Sequence, residues 1–205
     1  MTSVSPSVAP LRAEFGPAIE RHLVSCGDTI VYAGRAMSHE VLAWLKDTPG
    51  QQFDYLTDVT AVDYRDLERP LEVVYQLRSL PRKADLRVKV ALDKREALEV
   101  RSVVDLWSGA DWLEREAYDM FGVVFLGHPD LRRILMWETY AEGFPLRKDF
   151  PLRGHFSRAE QTRQALAANP EAHYSLEELS IADSFDELPA DMRERLARGE
   201  RGFLR

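Results

Sequence analysis

The sequence predicts an α+β protein: an antiparallel-rich sheet flanked by helices, followed by an extended C-terminal arm. Three observations predict it. Two neighbouring runs, Leu71 to Leu77 and Ala84 to Leu92, alternate at period two, as strands with one buried and one wet face do. Stretches on either side, 37–45 and 111–121, repeat apolar residues at helical spacing. Beyond Pro151, large apolar groups become sparse. A chain of 205 residues suits one domain with an appendage, placed here at 1–151 and 152–205.

The elements follow in order. Residues 1–9 read as a loose polar tail. Gly16-Pro17 predicts a helix from Pro17 to Val24, with proline at the first helical position and Gly27 as its stop. Thr29 to Ala33 reads as a short strand. Ser38 opens a second helix with Met37, Val41, Trp44 and Leu45 on one face, ended by Pro49-Gly50. Phe53 to Tyr64 adds a strand with muddier alternation. In the clear runs, Leu71, Val73, Tyr75 and Leu77, then Leu86, Val88, Val90 and Leu92, form the apolar face. The link Ser79 to Lys83 is short enough for a hairpin.

A third helix is expected from Asp111 to Phe121, with Leu113, Ala117, Met120 and Phe121 as its stripe. Ser108 with Asp111, or Asp111 with Glu114, offers a capping box, and Gly122 sits where a helix C-terminus favours glycine. Val123 to Phe125 continues as a short strand or extended exit. In 152–205, helix starts are expected at Ser157 with Glu160, Ser175 with Glu178, and Pro189. Such short helices are marginal alone, so the segment reads as an arm lying on another protein.

Composition narrows the function. A net charge of −7 argues against nucleic acid as a partner, because phosphate binding needs a basic excess. The single cysteine, Cys26, rules out an internal disulfide and a cluster held by four of the chain's own cysteines. Cys26 itself is expected to pack as a small, partly buried hydrophobe. The N-terminus lacks the basic region and apolar run of a secretory signal. No stretch approaches the ~18 apolar residues of a membrane span. The sequence contains no phosphate-cradling glycine loop, no G-x-G-x-x-G, no G-x-S-x-G and no H-E-x-x-H.

The densest chemistry lies in 114–151. In EREAYDMFG, Glu114, Glu116 and Asp119 are three carboxylates within six residues, enough for an acid–base pair. On a helix, Arg115 and Asp119 stand at i, i+4 and pair, and Glu114 is favoured near the helix N-terminus. A satisfied, charged helix face is the preferred reading. In GHPDLRRIL, Pro129 pushes His128 out of helical geometry, and His128 with Asp130 makes a poor metal pair without further ligands. His128 is read as fixing the turn, while Arg132 and Arg133 are suited to bidentate carboxylate binding. In GFPLRKDFP, Pro145 and Pro151 bracket a segment expected to run extended, displaying Arg147, Lys148 and Asp149 between Leu146 and Phe150. Trp107, Trp112 and Trp137 read as core or interface rather than a quinone pocket.

The order Glu114-Arg115-Glu116, Asp119, His128 and Arg132-x-Ile-Leu, preceded by Val104-Asp105-Leu106-Trp107 and followed by Pro-Leu-Arg-Lys-Asp-Phe-Pro, resembles a known family signature. It is that of the C-type subunit, the 30 kDa-type subunit, of proton-pumping NADH–quinone oxidoreductase, respiratory complex I. The resemblance covers about 53–151. Phe144 departs from it, standing where many members carry histidine.

The resemblance implies a non-catalytic subunit of the hydrophilic arm, peripheral on the cytoplasmic side of the cell membrane. Its main partner would be the large D-type subunit, with the cluster-bearing B- and I-type subunits nearby. Flavin mononucleotide (FMN), iron–sulfur clusters and quinone would sit on other subunits, with no cofactor, metal or catalytic residue on this chain. The nearest competing family is the equivalent subunit of a membrane-bound hydrogenase or of a ferredoxin- or deazaflavin-linked dehydrogenase. Two readings of other classes remain: a hydrolase using Glu114, Glu116 or Asp119 with His128, and an assembly chaperone.

Overall fold

The computed structural model describes residues 4–65, 68–152 and 154–168. They fall in two compact units, one of residues 1–135 with 146–149, the other of 136–145 with the residues from 150 onward.

The first unit is built on a five-stranded mixed sheet. Its elements are α1 (Val8–Phe15), β1 (Ile19–Ser25), β2 (Asp28–Ala33), α2 (Ser38–Asp47), β3 (Tyr55–Val62), β4 (Leu71–Ser79), β5 (Ala84–Leu92), β6 (Glu99–Arg101), α3 (Ala110–Phe121) and β7 (Val124–Leu126). The strand order is β1-β2-β5-β4-β3, and β6 pairs with β7 apart from the main sheet. Three pairings in the main sheet are antiparallel, and β2 with β5 is parallel. The α+β expectation holds, with two parallel pairs added, β2 with β5 and β6 with β7.

Period two places the core where it was expected. Val31, Val73, Tyr75, Leu77, Val88 and Val90 are fully buried on one face, together with Leu11 of α1 and Val41, Leu42 and Leu45 of α2. Each such side chain contributes roughly 1.5–3 kcal/mol. In α2 the stripe is Val41, Leu42 and Leu45, while Met37 stays exposed. The opposite face of β4 is not wet. Glu72 is buried there, accepting from the Tyr64 hydroxyl at 2.9 Å and the Lys89 ammonium at 2.7 Å. A central strand is screened by long side chains of its neighbours, so alternation in sequence overstates its exposure.

The N-terminal expectation fails. The helix is Val8–Phe15, and Gly16–Ala18 forms a single 3₁₀ turn. Ile19–Ser25 is a strand paired with β2. Ser25 faces Asp28, leaving Cys26-Gly27 as a two-residue loop with φ of 51° and 96°. Positive φ at both positions matches a type I′ turn, whose twist suits a hairpin. Cys26 is therefore exposed at a turn rather than partly buried.

α3 starts and ends as expected, and Gly122 takes the left-handed position at its C-terminus, with φ of 77°. No side chain caps its N-terminus; Glu114 is engaged elsewhere. α3 runs along β3 and buries Ala117, Met120 and Phe121, while Leu113 is half-buried.

The second unit holds α4 (Arg158–Ala168). Ser157 Oγ accepts the Glu160 N–H at 3.2 Å at the expected helix start. Glu142 accepts the His155 N–H, and the Phe150 and His155 rings meet edge to face, as do Trp137 and Tyr140. The helix starts expected at Ser175 and Pro189, and most of the arm, lie outside the described residues. Among the described residues no helix is long and apolar enough to cross a membrane.

Candidate functional site

The three signature motifs serve three different structural tasks. Glu114 points from α3 into the core and is fully buried. Its Oε2 accepts from the Ser102 hydroxyl at 2.6 Å, and its Oε1 accepts the Val103 N–H at 2.7 Å. It thereby pins the segment leaving β6. Burial pushes its carboxyl up to about 7, against the two hydrogen bonds and with help from Asp105 and Asp111. The same segment carries Asp105, 2.9 Å from His39 of α2. Although its own burial acts in the opposite direction, the hydrogen bond and charge of His39 hold the Asp105 carboxyl below the ordinary range.

Asp119 is also fully buried, farther along the same helix. Its Oδ1 accepts from Arg133 at 2.6 Å, and its Oδ2 accepts the N–H groups of Ile134 and Leu135 at 3.0 and 2.8 Å. Arg115 does not pair with Asp119 as its spacing suggested. It donates to the carbonyls of Arg132 and Arg133, both at 3.2 Å. A carboxylate that takes two backbone donors and an arginine is better satisfied than one in an exposed i, i+4 pair. Glu116 is exposed. The expected charged helix face is thus split: two acids are buried braces and one keeps to the surface.

His128 fixes its turn as expected. Its Nδ1 accepts the Asp130 N–H at 3.0 Å, so Nε2 carries the hydrogen donated to the Asp111 carbonyl at 3.1 Å. Gly127 before it has φ of 85°. Arg132 reaches Asp130 at 2.8 Å on the surface.

The segment around Arg147 is turned, not extended. Pro145 suits the start of a turn. The Leu146 N–H then bonds the Met120 carbonyl at 3.1 Å, and the Lys148 N–H bonds Asp63 Oδ2 at 2.8 Å. These two bonds curl the backbone that was expected to run extended between the flanking prolines. Asp63 also pairs with Lys94 at 2.7 Å. Arg147, Lys148 and Asp149 line a cleft of about 340 Å³ together with Asp63, Arg65 and Lys94.

The carboxylates and His128 therefore do not converge on one open pocket, the geometry the hydrolase reading requires. The tryptophans are also divided: Trp107 is buried, Trp112 of α3 is 69% exposed, and Trp137 lies in the second unit. Sequence reasoning missed Asp63, Lys94, Ser102 and the Asp111 carbonyl as partners. Asp63 stands 85 residues from Lys148, and no local pattern marks it.

The fold and site define a class: α+β proteins whose signature acids brace the loops around one helix and leave a charged turn and scattered apolar side chains on the surface. The chain belongs to the family of the respiratory-chain NADH dehydrogenase 30 Kd subunit, whose model matches residues 31–156. It is 44% identical over 155 residues to the C-type subunit numbered 2 of the NADH-quinone oxidoreductase of Rhizobium etli, covering 75% of this chain and 81% of that one. It is 46% identical over 144 residues to the C-type subunit of the NADH-quinone oxidoreductase of Brucella ovis, covering 70% of each. Among solved structures it is similar to a trypsin-resistant fragment (1–134) of Nqo5, at 31% identity and a TM-score of 0.51, over 61% of this chain and 96% of that one. An archaeal membrane-bound sulfane sulfur reductase shares the fold at 22% identity and a TM-score of 0.59, over 71% of this chain and 84% of that one.

Proposed function

We propose that the protein is a non-catalytic structural subunit of the hydrophilic arm of proton-pumping NADH–quinone oxidoreductase. It docks against the large D-type subunit and lies near the cluster-bearing B- and I-type subunits, peripheral to the membrane on its cytoplasmic side. Electrons pass from NADH through FMN and iron–sulfur centres to quinone on other subunits. This chain carries no prosthetic group and no catalytic residue. Its contribution is geometric: a rigid body docked between redox subunits limits their relative motion.

One observation carries the reading. The signature acids Glu114 and Asp119 are consumed in internal bonds, fully buried and each tied to backbone N–H groups. Residues used this way shape a surface and do not work on a substrate. The same unit presents Trp112, Leu126, Leu135 and Leu146, all at least 48% exposed, the kind of apolar side chain that partner contacts use.

Purification of the membrane complex tests this. The chain is expected in equal amount to the D-type subunit, and the pure chain is expected to be colourless and redox-silent. Its absence from the mature complex would favour an assembly chaperone, and a bound flavin or cluster on the isolated chain would refute the proposal.

A further inference from the structure

We propose that the cleft beside Asp63 receives an acidic segment of a neighbouring subunit, with one or two Asp or Glu side chains entering against Arg65, Arg147 and Lys148. This rests on the structural-subunit reading and adds the chemistry of the partner.

The charge balance points there. Among the described residues, four cations and two carboxylates line the cleft, an excess of two positive charges, in a chain whose net charge is −7. The charges are layered. Asp63 and Lys94 form a pair at 2.7 Å with side chains only 7% and 15% exposed, so the floor is neutral. The rim adds exposed Arg65 and Lys148, and half-buried Arg147 whose charge also acts on Asp63, beside Asp149. Among the described residues, neither the Lys148 ammonium nor the Arg65 guanidinium has a carboxylate partner.

The walls are set before anything binds. Lys94 donates to the Tyr64 carbonyl, the Tyr64 hydroxyl donates to Glu72, and the Arg69 guanidinium lies 3.7 Å over the Tyr64 ring centre. The Lys148 backbone is bonded to Asp63. Preorganised cations lose less on binding, and an arginine fork takes a carboxylate in bidentate fashion. Among the described residues, six of the eight that line the cleft are charged. That favours a charged protein segment. The excess of two also sets a limit, since a longer acidic run would overfill the cleft beside Asp149.

Zero-length carbodiimide coupling of the intact membrane complex, read by mass spectrometry, tests this because it joins an ammonium only to a carboxylate in contact with it. The expected product is an amide between Lys148 and an Asp or Glu of a neighbouring subunit. Lys148→Arg should abolish that product while the complex still assembles. The double reversal Arg147→Glu with Lys148→Glu should lower the amount of chain in the complex at least about tenfold, with the melting temperature of the free full chain little changed. If Lys148 stays unlinked, or links only within its own chain, in a complex that contains the chain, this inference falls and the structural-subunit reading stands. If the chain is missing from the complex, both fall.

Discussion

Replacing Glu114 by Gln should remove the loss of stability that this carboxyl imposes between about pH 5.5 and pH 8. Glu114 is buried, and its carboxyl is raised from about 4.5 to about 7. Between those values the folded state keeps a proton that the unfolded state has released. Stability therefore falls as pH rises through the window. Integrating that linkage, one such group costs about 2 kcal/mol between pH 5.5 and pH 8. For a chain of this size that is roughly 4–8 °C in melting temperature. The other shifted carboxyls, Asp63 and Asp105, are held below their ordinary range. They lose stability as pH falls and do not act in this window. Gln keeps the shape and an oxygen for the Val103 N–H, so its own cost at low pH is about 1 kcal/mol. Urea unfolding of both purified full-length chains at the two pH values gives the slopes. Parallel pH dependence in the two proteins would refute the reasoning, because it would mean Glu114 is ionised throughout.

Asp119→Ala removes the buried carboxylate that faces Arg133 and frees two backbone N–H groups; a loss of about 3–5 kcal/mol is expected in denaturant unfolding. Cys26→Asn places a better residue at a positive-φ turn position and should raise stability by about 0.5–1 kcal/mol, seen as a higher melting temperature. Gly122→Ala puts a side chain at the left-handed end of α3 and should cost about 1 kcal/mol. Ending the chain after Pro151 should leave the sheet unit folded, since its buried core runs from Val8 to Phe125, while recovery with the membrane complex falls. Thermal unfolding and co-purification yield check the two halves of that expectation.

The sheet was legible because its two best strands alternate cleanly at period two, and α2 and α3 because their apolar stripes and glycine or proline stops agree. The stretch 17–24 was misread for a physical reason. Gly16-Pro17 is a good helix start locally, but the chain makes one 3₁₀ turn and is then claimed by pairing with β2. Strand formation depends on such neighbours more than on local preference. Cys26-Gly27 was the available hairpin signal, weaker than Asn-Gly because cysteine seldom takes positive φ. At the site, the sequence supplied the signature residues but not their partners. Arg115 at i, i+4 from Asp119 suggested a surface pair; the loop at 132–135 takes both residues instead. The turn at Lys148 depends on Asp63, far from it in sequence, and a pairing of that range leaves no local trace.

Under the proposed structural role, this chain acts by docking and not by chemistry. Turnover per assembled complex measures that most directly. Membranes carrying the Arg147→Glu, Lys148→Glu chain should contain less intact complex, while each remaining complex oxidises NADH with quinone at the wild-type rate. Full assembly with slowed turnover per complex would contradict it.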